Sequence, residues 1–238
     1  MISPSTLVKS VGVGGKLAVF FKCVCVYFVA QGVGVGAGAD GGRSPLAVAA
    51  KCAPVLSLLL LVLLHQAALP YHKGWYARRV AAGLALSALG DALLVWPQHF
   101  VAGMAAFGGA HLAYLAAFRL RPRRPALAVA LYAATGAYLR LLAPPPALAA
   151  LVPLYSALLA TMAWRGVARG GAAAPGALLF LFSDAVLGYS LFGGPVPYKQ
   201  WVVMSTYYLG QLGIAWSALE TPRSHPGDLP RASVVASN

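Results

Sequence analysis

Acidic residues are the scarcest chemistry in this sequence. Its 238 residues hold 18 lysines and arginines but only five carboxylates: Asp40, Asp91, Asp184, Glu220 and Asp228. Charged residues make up 10% of the chain, where a soluble globular domain carries about 25%. A soluble core is thereby disfavoured. Asparagine occurs once, at the terminal Asn238, so no N-glycosylation site is expected. The three cysteines, Cys23, Cys25 and Cys52, are odd in number and lack a Cys-x-x-Cys spacing, which gives no disulfide framework and no zinc site. The sequence contains no G-x-S-x-G elbow, no H-E-x-x-H and no Walker A loop. One G-x-G-x-x-G pattern, Gly36 to Gly41, neither follows a strand nor opens an amphipathic helix, so it does not signal a dinucleotide site. Histidines and carboxylates are too dispersed for a metal site, and no cofactor is expected.

What fills the chain instead is apolar sequence, 60% of the total, with a mean hydropathy of +0.73. A membrane-spanning helix needs about 20 predominantly apolar residues. Eight runs qualify or nearly so: Lys16–Gln31, Pro45–Ala67, Trp75–Trp96, Phe100–Phe118, Pro125–Leu142, Ala147–Trp164, Pro175–Phe192 and Tyr198–Leu219. The fold class that follows is all-α, a polytopic transmembrane bundle of about eight helices in one domain spanning residues 16–219. A short segment, 1–15, precedes it and a solvated, disordered tail, 220–238, follows. The first run is the weakest. Residues 1–31 have some character of a signal peptide, but Lys22 interrupts the apolar core and no small-x-small cleavage site stands out, so a retained helix is expected.

The net charge of +13 belongs to the loops. Without basic and aromatic residues interleaved on a solvated surface, nucleic acid is not an expected partner; the bilayer and its anionic headgroups are. With eight spans, fourteen lysines and arginines fall on the side of the N-terminus and four (Arg43, Lys51, Arg140 and Lys199) on the other. The positive-inside rule then places both termini in the cytosol.

Against this background a few polar groups stand out. Of the five carboxylates only Asp91 and Asp184 lie within apolar runs. Ionisable groups in such a setting are costly and mark function by default. Ser87 and Gly83 share a helix face with Asp91 at intervals of four. No basic residue shares the run of Asp184, which suits it to proton donation. His111 lies near the middle of the fourth run, with Tyr114 close by, and Tyr207, Tyr208 and Gln211 cluster on the last. Aligning Asp91-Ala-Leu-Leu on Asp184-Ala-Val-Leu gives an offset of 93 residues that also pairs Tyr114 with Tyr207, which suggests two four-helix halves. Two carboxyls, an imidazole, phenols and an amide at one depth suit acid–base hydrolysis of a lipid-soluble substrate. They equally suit a proton-coupled carrier of a small or lipid-like solute. A purely structural role leaves the two aspartates unexplained.

The segments Gly83-Leu-Ala-Leu-Ser-Ala-Leu-Gly-Asp91, Ala110-His-Leu-Ala-Tyr114, Phe182-Ser-Asp184 and Tyr207-Tyr-Leu-Gly-Gln211 resemble, in that order, the YhhN-like membrane proteins, and within them the vertebrate lysoplasmalogenase branch. Lys51-Cys-Ala-Pro54 and Met162-Ala-Trp-Arg-Gly166 fit the same branch. The resemblance covers about residues 20–220. It implies hydrolysis of the vinyl ether of lysoplasmalogens, both ethanolamine and choline forms, to a fatty aldehyde and the glycerophospho base. It also implies an endoplasmic reticulum membrane and no organic cofactor. The lysophospholipid substrate and the bilayer are the implied partners, and a homodimer is a candidate assembly. On this reading Asp184 is the acid, Asp91 activates water or stabilises the cation, and His111 relays a proton or orients a carboxyl. Ser87, Tyr114, Ser183, Tyr207, Tyr208 and Gln211 hold the substrate or the reacting groups. Arg78, Arg79 and Arg140 are candidates to meet the phosphate.

Overall fold

The computed structural model describes residues 13–32, 45–70, 74–120 and 124–220. They form eight α-helices: α1 (Val13–Gly32), α2 (Pro45–Ala67), α3 (Trp75–Leu93), α4 (Phe100–Phe118), α5 (Pro125–Leu139), α6 (Leu151–Arg169), α7 (Ala173–Phe192) and α8 (Lys199–Ser217). In hydrocarbon every backbone polar group must be satisfied internally, which is why apolar runs of this length become helices. Among the described residues four helical stretches are long and apolar enough to cross a membrane: Pro45–Ala67, Pro97–Phe118, Pro146–Arg169 and Ala173–Phe192. Residues 1–12, the Gly36–Gly41 pattern and the tail from Thr221 lie outside the described residues.

Number and order of helices agree with the hydropathy reading, and the boundaries move where proline and glycine intervene. The third run stops as helix at Leu93, three residues short of Trp96, and Pro97–His99 forms a 3-10 turn that leads into α4. The fifth ends at Leu139, ahead of the Pro144-Pro145-Pro146 run, whose last proline opens a second 3-10 turn. α6 continues past Trp164 to Arg169 and stops where Gly170 and Gly171 take positive φ, 80° and 62°, a conformation that glycine adopts without steric cost. Arg165, assigned to a loop by the sequence, is therefore helical and fully buried. Its Nε donates to the carbonyl of Arg119 at 2.7 Å, closing the end of α4.

The helices pack as α1 on α2, α2 on α3, α3 on α4, α4 on α6, α6 on α7 and α7 on α8, and α8 returns to touch α2 and α3. That closes a ring. α5 stands outside it, packs mainly on α6 and has no fully buried residue. α1 is tied in by buried Phe20 and Tyr27, by a Gln200–Tyr27 hydrogen bond and by the stack of Phe28 on Trp201. At the centre, the ring of Phe180 meets Phe107, His111, Tyr114 and Tyr207 edge-on.

Lipid tails are as apolar as leucine, so helices associate here through close van der Waals packing, for which small residues are suited. The α7–α8 crossing shows this. A Cβ on Gly213 would stand 2.7 Å from Gly176 Cα, and one on Gly210 2.9 Å from the Phe180 backbone nitrogen. These neighbours are backbone and cannot give way. A Cβ on Gly136 of α5, by contrast, meets nothing within 4 Å. Gly213→Val is expected to destabilise the purified protein by about 1–3 kcal/mol through overpacking, while Gly136→Val leaves thermal unfolding in detergent close to wild type. Equal melting midpoints for both variants would contradict the close α7–α8 packing.

Candidate functional site

Asp91 sits two residues before the end of α3 and Asp184 in the second half of α7. The two are far apart in the sequence, yet the ring brings both carboxyls onto one cavity of about 270 Å³. Apart from a few polar groups its wall is hydrocarbon and aromatic: Leu94, Phe100, Met104 and Phe107 from the α3–α4 side, Leu131 and Ala134 from α5, Leu142 from the connection after it, and Leu181, Leu187 and Phe192 from α7. The cavity occupies the half of the bundle where the α3–α4, α5–α6 and α7–α8 connections lie.

The two carboxyls have different company. Asp91 accepts a hydrogen bond from the Tyr207 hydroxyl at Oδ2, 2.6 Å. Its Oδ1 lies 3.7 Å from Lys51 Nζ, and the same ammonium donates to the Asp91 main-chain carbonyl at 3.2 Å. Lys51 comes from α2, whose backbone is further held by the Tyr208 hydroxyl donating to the Lys51 carbonyl at 2.8 Å. An ion pair at this distance gains roughly 4 kcal/mol at an effective dielectric of about 20, while burying each ion costs several kcal/mol. The pair therefore offsets the burial of Asp91 rather than adding stability of its own.

Among the described residues Asp184 has no lysine or arginine paired with it. Its Oδ2 accepts the Tyr155 hydroxyl at 2.6 Å, and the Tyr155 oxygen in turn lies 3.1 Å from His111 Nε2. With the phenol proton committed to Asp184, the remaining role for Nε2 is donor. His111 Nε2 is itself 3.7 Å from Asp184 Oδ2. The result is a relay His111 to Tyr155 to Asp184, of which Tyr155 and Asp184 face the cavity and His111 stands behind them. The Asp184 side chain is 15% exposed, against 3% for Asp91. Asp184 is the deeper of the two along its helix, as the sequence suggested, but it is also the more open to the cavity.

The other candidates divide. Tyr207 and Ser183 line the cavity. Ser183 donates to the Val203 carbonyl at 2.8 Å and so ties α7 to α8. Ser87, Tyr114, Tyr208 and Gln211 do not line it; they form the layer behind. The Tyr114 hydroxyl donates to Gln211 Oε1 at 2.7 Å and stands 3.4 Å from Ser87 Oγ. Gly83 is what admits the Tyr114 ring, since any Cβ there would overlap it. The suggested repeat does not extend to these contacts: Tyr207 binds Asp91, whereas the phenol on Asp184 is Tyr155 and not Tyr114.

Sequence reasoning missed Lys51 and Tyr155. Lys51 was counted among loop cations, although it lies seven residues into the apolar run Pro45–Ala67 and is the only formally charged residue in it; that isolation was the available signal. Tyr155 carried none, since a tyrosine in a membrane helix is ordinary. The three arginines considered for a phosphate, Arg78, Arg79 and Arg140, do not line the cavity. Arg79 instead donates to the Ala116 carbonyl at 3.1 Å and lies over the Trp75 ring.

Behind the cavity, Tyr114→Phe would leave the fully buried Gln211 Oε1 without its donor. A stability loss of about 1–3 kcal/mol is expected, read as a lowered unfolding midpoint in detergent. An unchanged midpoint would show that this hydrogen bond contributes nothing.

Comparison with known proteins places the chain in a family. Residues 46–218 match the YhhN family. The pig protein named lysoplasmalogenase TMEM86B is 40% identical over 225 residues, covering 94% of this chain and 95% of that protein. Its human counterpart is 39% identical over 208 residues, 87% of each. Human lysoplasmalogenase TMEM86A is 37% identical over 237 residues, covering 93% of this chain and 95% of that protein. No solved structure matches.

Proposed function

The chain belongs to the YhhN family, and on that premise we propose that it is a lysoplasmalogenase: a multi-pass membrane hydrolase that cleaves the vinyl ether of 1-alkenyl lysophospholipids. The observation that carries the reading is the convergence of Asp91 and Asp184 on one largely apolar cavity. Hydrocarbon walls suit the alkenyl chain, and the paired carboxyls suit the chemistry. A vinyl ether hydrolyses by protonation of its β-carbon, which generates an oxocarbenium ion. Water then adds to the adjacent carbon, and the hemiacetal collapses to a fatty aldehyde and glycerophosphoethanolamine or glycerophosphocholine.

The unequal surroundings of the carboxyls assign the roles. Asp184, with no fixed cation and with the relay through Tyr155 and His111 behind it, delivers the proton to carbon. Asp91, held as the anion of an ion pair, faces the developing oxocarbenium and takes a proton from the attacking water. The hemiacetal hydroxyl proton passes to the departing glycerol oxygen. The proton gained by Asp91 returns to Asp184, which resets the pair. Glycosidases divide labour between two carboxyls in a comparable way; the parallel is one of chemistry and not of fold.

The membrane placement is part of the same reading. Arg78, Arg79, Arg119 and Arg169 gather at the helix ends opposite the cavity mouth. Positive charge marks a cytosolic face, so on this reading the termini are cytosolic and the cavity lies in the half of the bundle toward the lumen of the endoplasmic reticulum.

Purified protein in detergent, without a gradient, is expected to release aldehyde from lysoplasmenylethanolamine; a carrier would not. Asp91→Asn and Asp184→Asn should each lower kcat by about 10²–10⁴-fold while eluting as folded protein. Near wild-type turnover in both variants would sink the two-carboxyl mechanism.

A further inference from the structure

We propose that Lys51 is the phosphate anchor of the cavity, binding the phosphodiester anion of the lysophospholipid and so selecting phospholipid over neutral ether lipid. The inference rests on the hydrolase reading of the same site.

Lys51 is the only lysine or arginine that lines the cavity among the described residues. Arg140 and Lys199 stand at the same end of the bundle but line none of it. Asp91 does not saturate the ammonium. An ammonium carries three N–H donors; one goes to the Asp91 carbonyl at 3.2 Å, and the carboxylate oxygen at 3.7 Å is beyond ordinary hydrogen-bond range. The Lys51 side chain is also the open half of the pair, 16% exposed against 3% for Asp91. A cation thus faces the cavity beside its counter-anion, and is the more open of the two. In an apolar chamber an arriving monoanion has one partner of opposite charge, and desolvation strengthens that contact.

The placement also fits the substrate. In a lysoplasmalogen the glycerol backbone alone separates the vinyl ether oxygen from the phosphate. Whatever binds the phosphate must therefore lie next to the carboxyls that act on the ether. Lys51 lies beside Asp91, whereas the arginines around Trp75 and Tyr76 lie at the far ends of their helices. Anchoring the phosphate there points the alkenyl chain along the wall of α5 and α7 residues, past Asp184.

The test compares two substrates on the full chain in detergent: 1-alkenyl-glycerophosphoethanolamine and the phosphate-free 1-alkenylglycerol. Wild type is expected to prefer the phospholipid at least about tenfold in kcat/KM, the worth of one hydrogen bond to a charged group. In Lys51→Met and Lys51→Gln that preference should collapse toward one, and in Lys51→Arg it should persist. The ratio is the readout because disturbing Asp91 slows both substrates alike and cancels. A preference that survives in Lys51→Met would show that Lys51 only positions Asp91. A wild-type ratio near one would overturn the anchor without any variant, so the outcome stands even where a variant fails to fold. Competition of a saturated 1-alkyl lysophospholipid against 1-alkylglycerol in wild type gives the same reading independently, and equal inhibition by the two would also overturn it. Wild-type protein that releases aldehyde from neither substrate would instead refute the hydrolase reading itself.

Discussion

A carboxyl placed inside an apolar helix bundle must be met by donors or by a cation, and meeting two of them shapes this molecule. Asp91 requires α2 to bring Lys51 and α8 to bring Tyr207. Asp184 requires α6 to bring Tyr155 and α4 to bring His111. Six of the eight helices, α2, α3, α4, α6, α7 and α8, are thus committed to two side chains. The closing of the ring by α8 against α2 and α3 is the same fact seen as packing. A buried polar network of this kind is stable only when its members are satisfied together, since each group left alone would carry its full desolvation cost.

The ring's two sides answer different needs. Around the α7–α8 crossing, glycines bring backbone against backbone, and Ser183 adds a side-chain tie across it. This holds Asp184 and Tyr207 at fixed depth relative to each other. On the other side, the cavity is walled by α5, which has no fully buried residue; its Tyr138 hydroxyl reaches α7 at the Ala185 carbonyl, 2.7 Å away. The cavity is thus closed by tightly packed helices on one side and by the lightly buried α5 on the other.

Much of this was legible in the sequence for a simple reason: charge is so scarce in the apolar runs that each instance is informative. Asp91, Asp184 and His111 stand out as exceptions to hydropathy. The helix count follows from the same scale, since in lipid apolar length and helix formation are one constraint. What was not legible was direction. Ser87, Tyr114 and Gln211 share the depth of the carboxyls but turn to each other behind the cavity, and only the packing of Phe180 against Tyr114 and His111 decides which ring faces which way. Tyr155 was invisible because tyrosine is common in such helices. Lys51 and Arg165 were hidden by the convention that basic residues near a span belong to its loops, a rule that holds on average and fails where a cation has a buried acceptor waiting for it.

The difference between the two carboxyls is what makes the pair chemically useful. Two equivalent aspartates facing one small apolar chamber would compete for a single proton and leave its position to chance. Here Lys51 fixes a positive charge beside Asp91 alone, and the phenol–imidazole pair stands beside Asp184 alone. In the proposed reaction the charge that develops is a cation on the substrate carbon, formed by a proton arriving from one side and stabilised by an anion on the other. A low-dielectric chamber amplifies both the cost of that cation and the benefit of an anion already in position. Asymmetry set by two partner residues, Lys51 and Tyr155, converts a symmetric-looking sequence pattern into a directional site. On the proposed mechanism the two partners divide the labour, so that one carboxyl gives the proton and the other meets the cation.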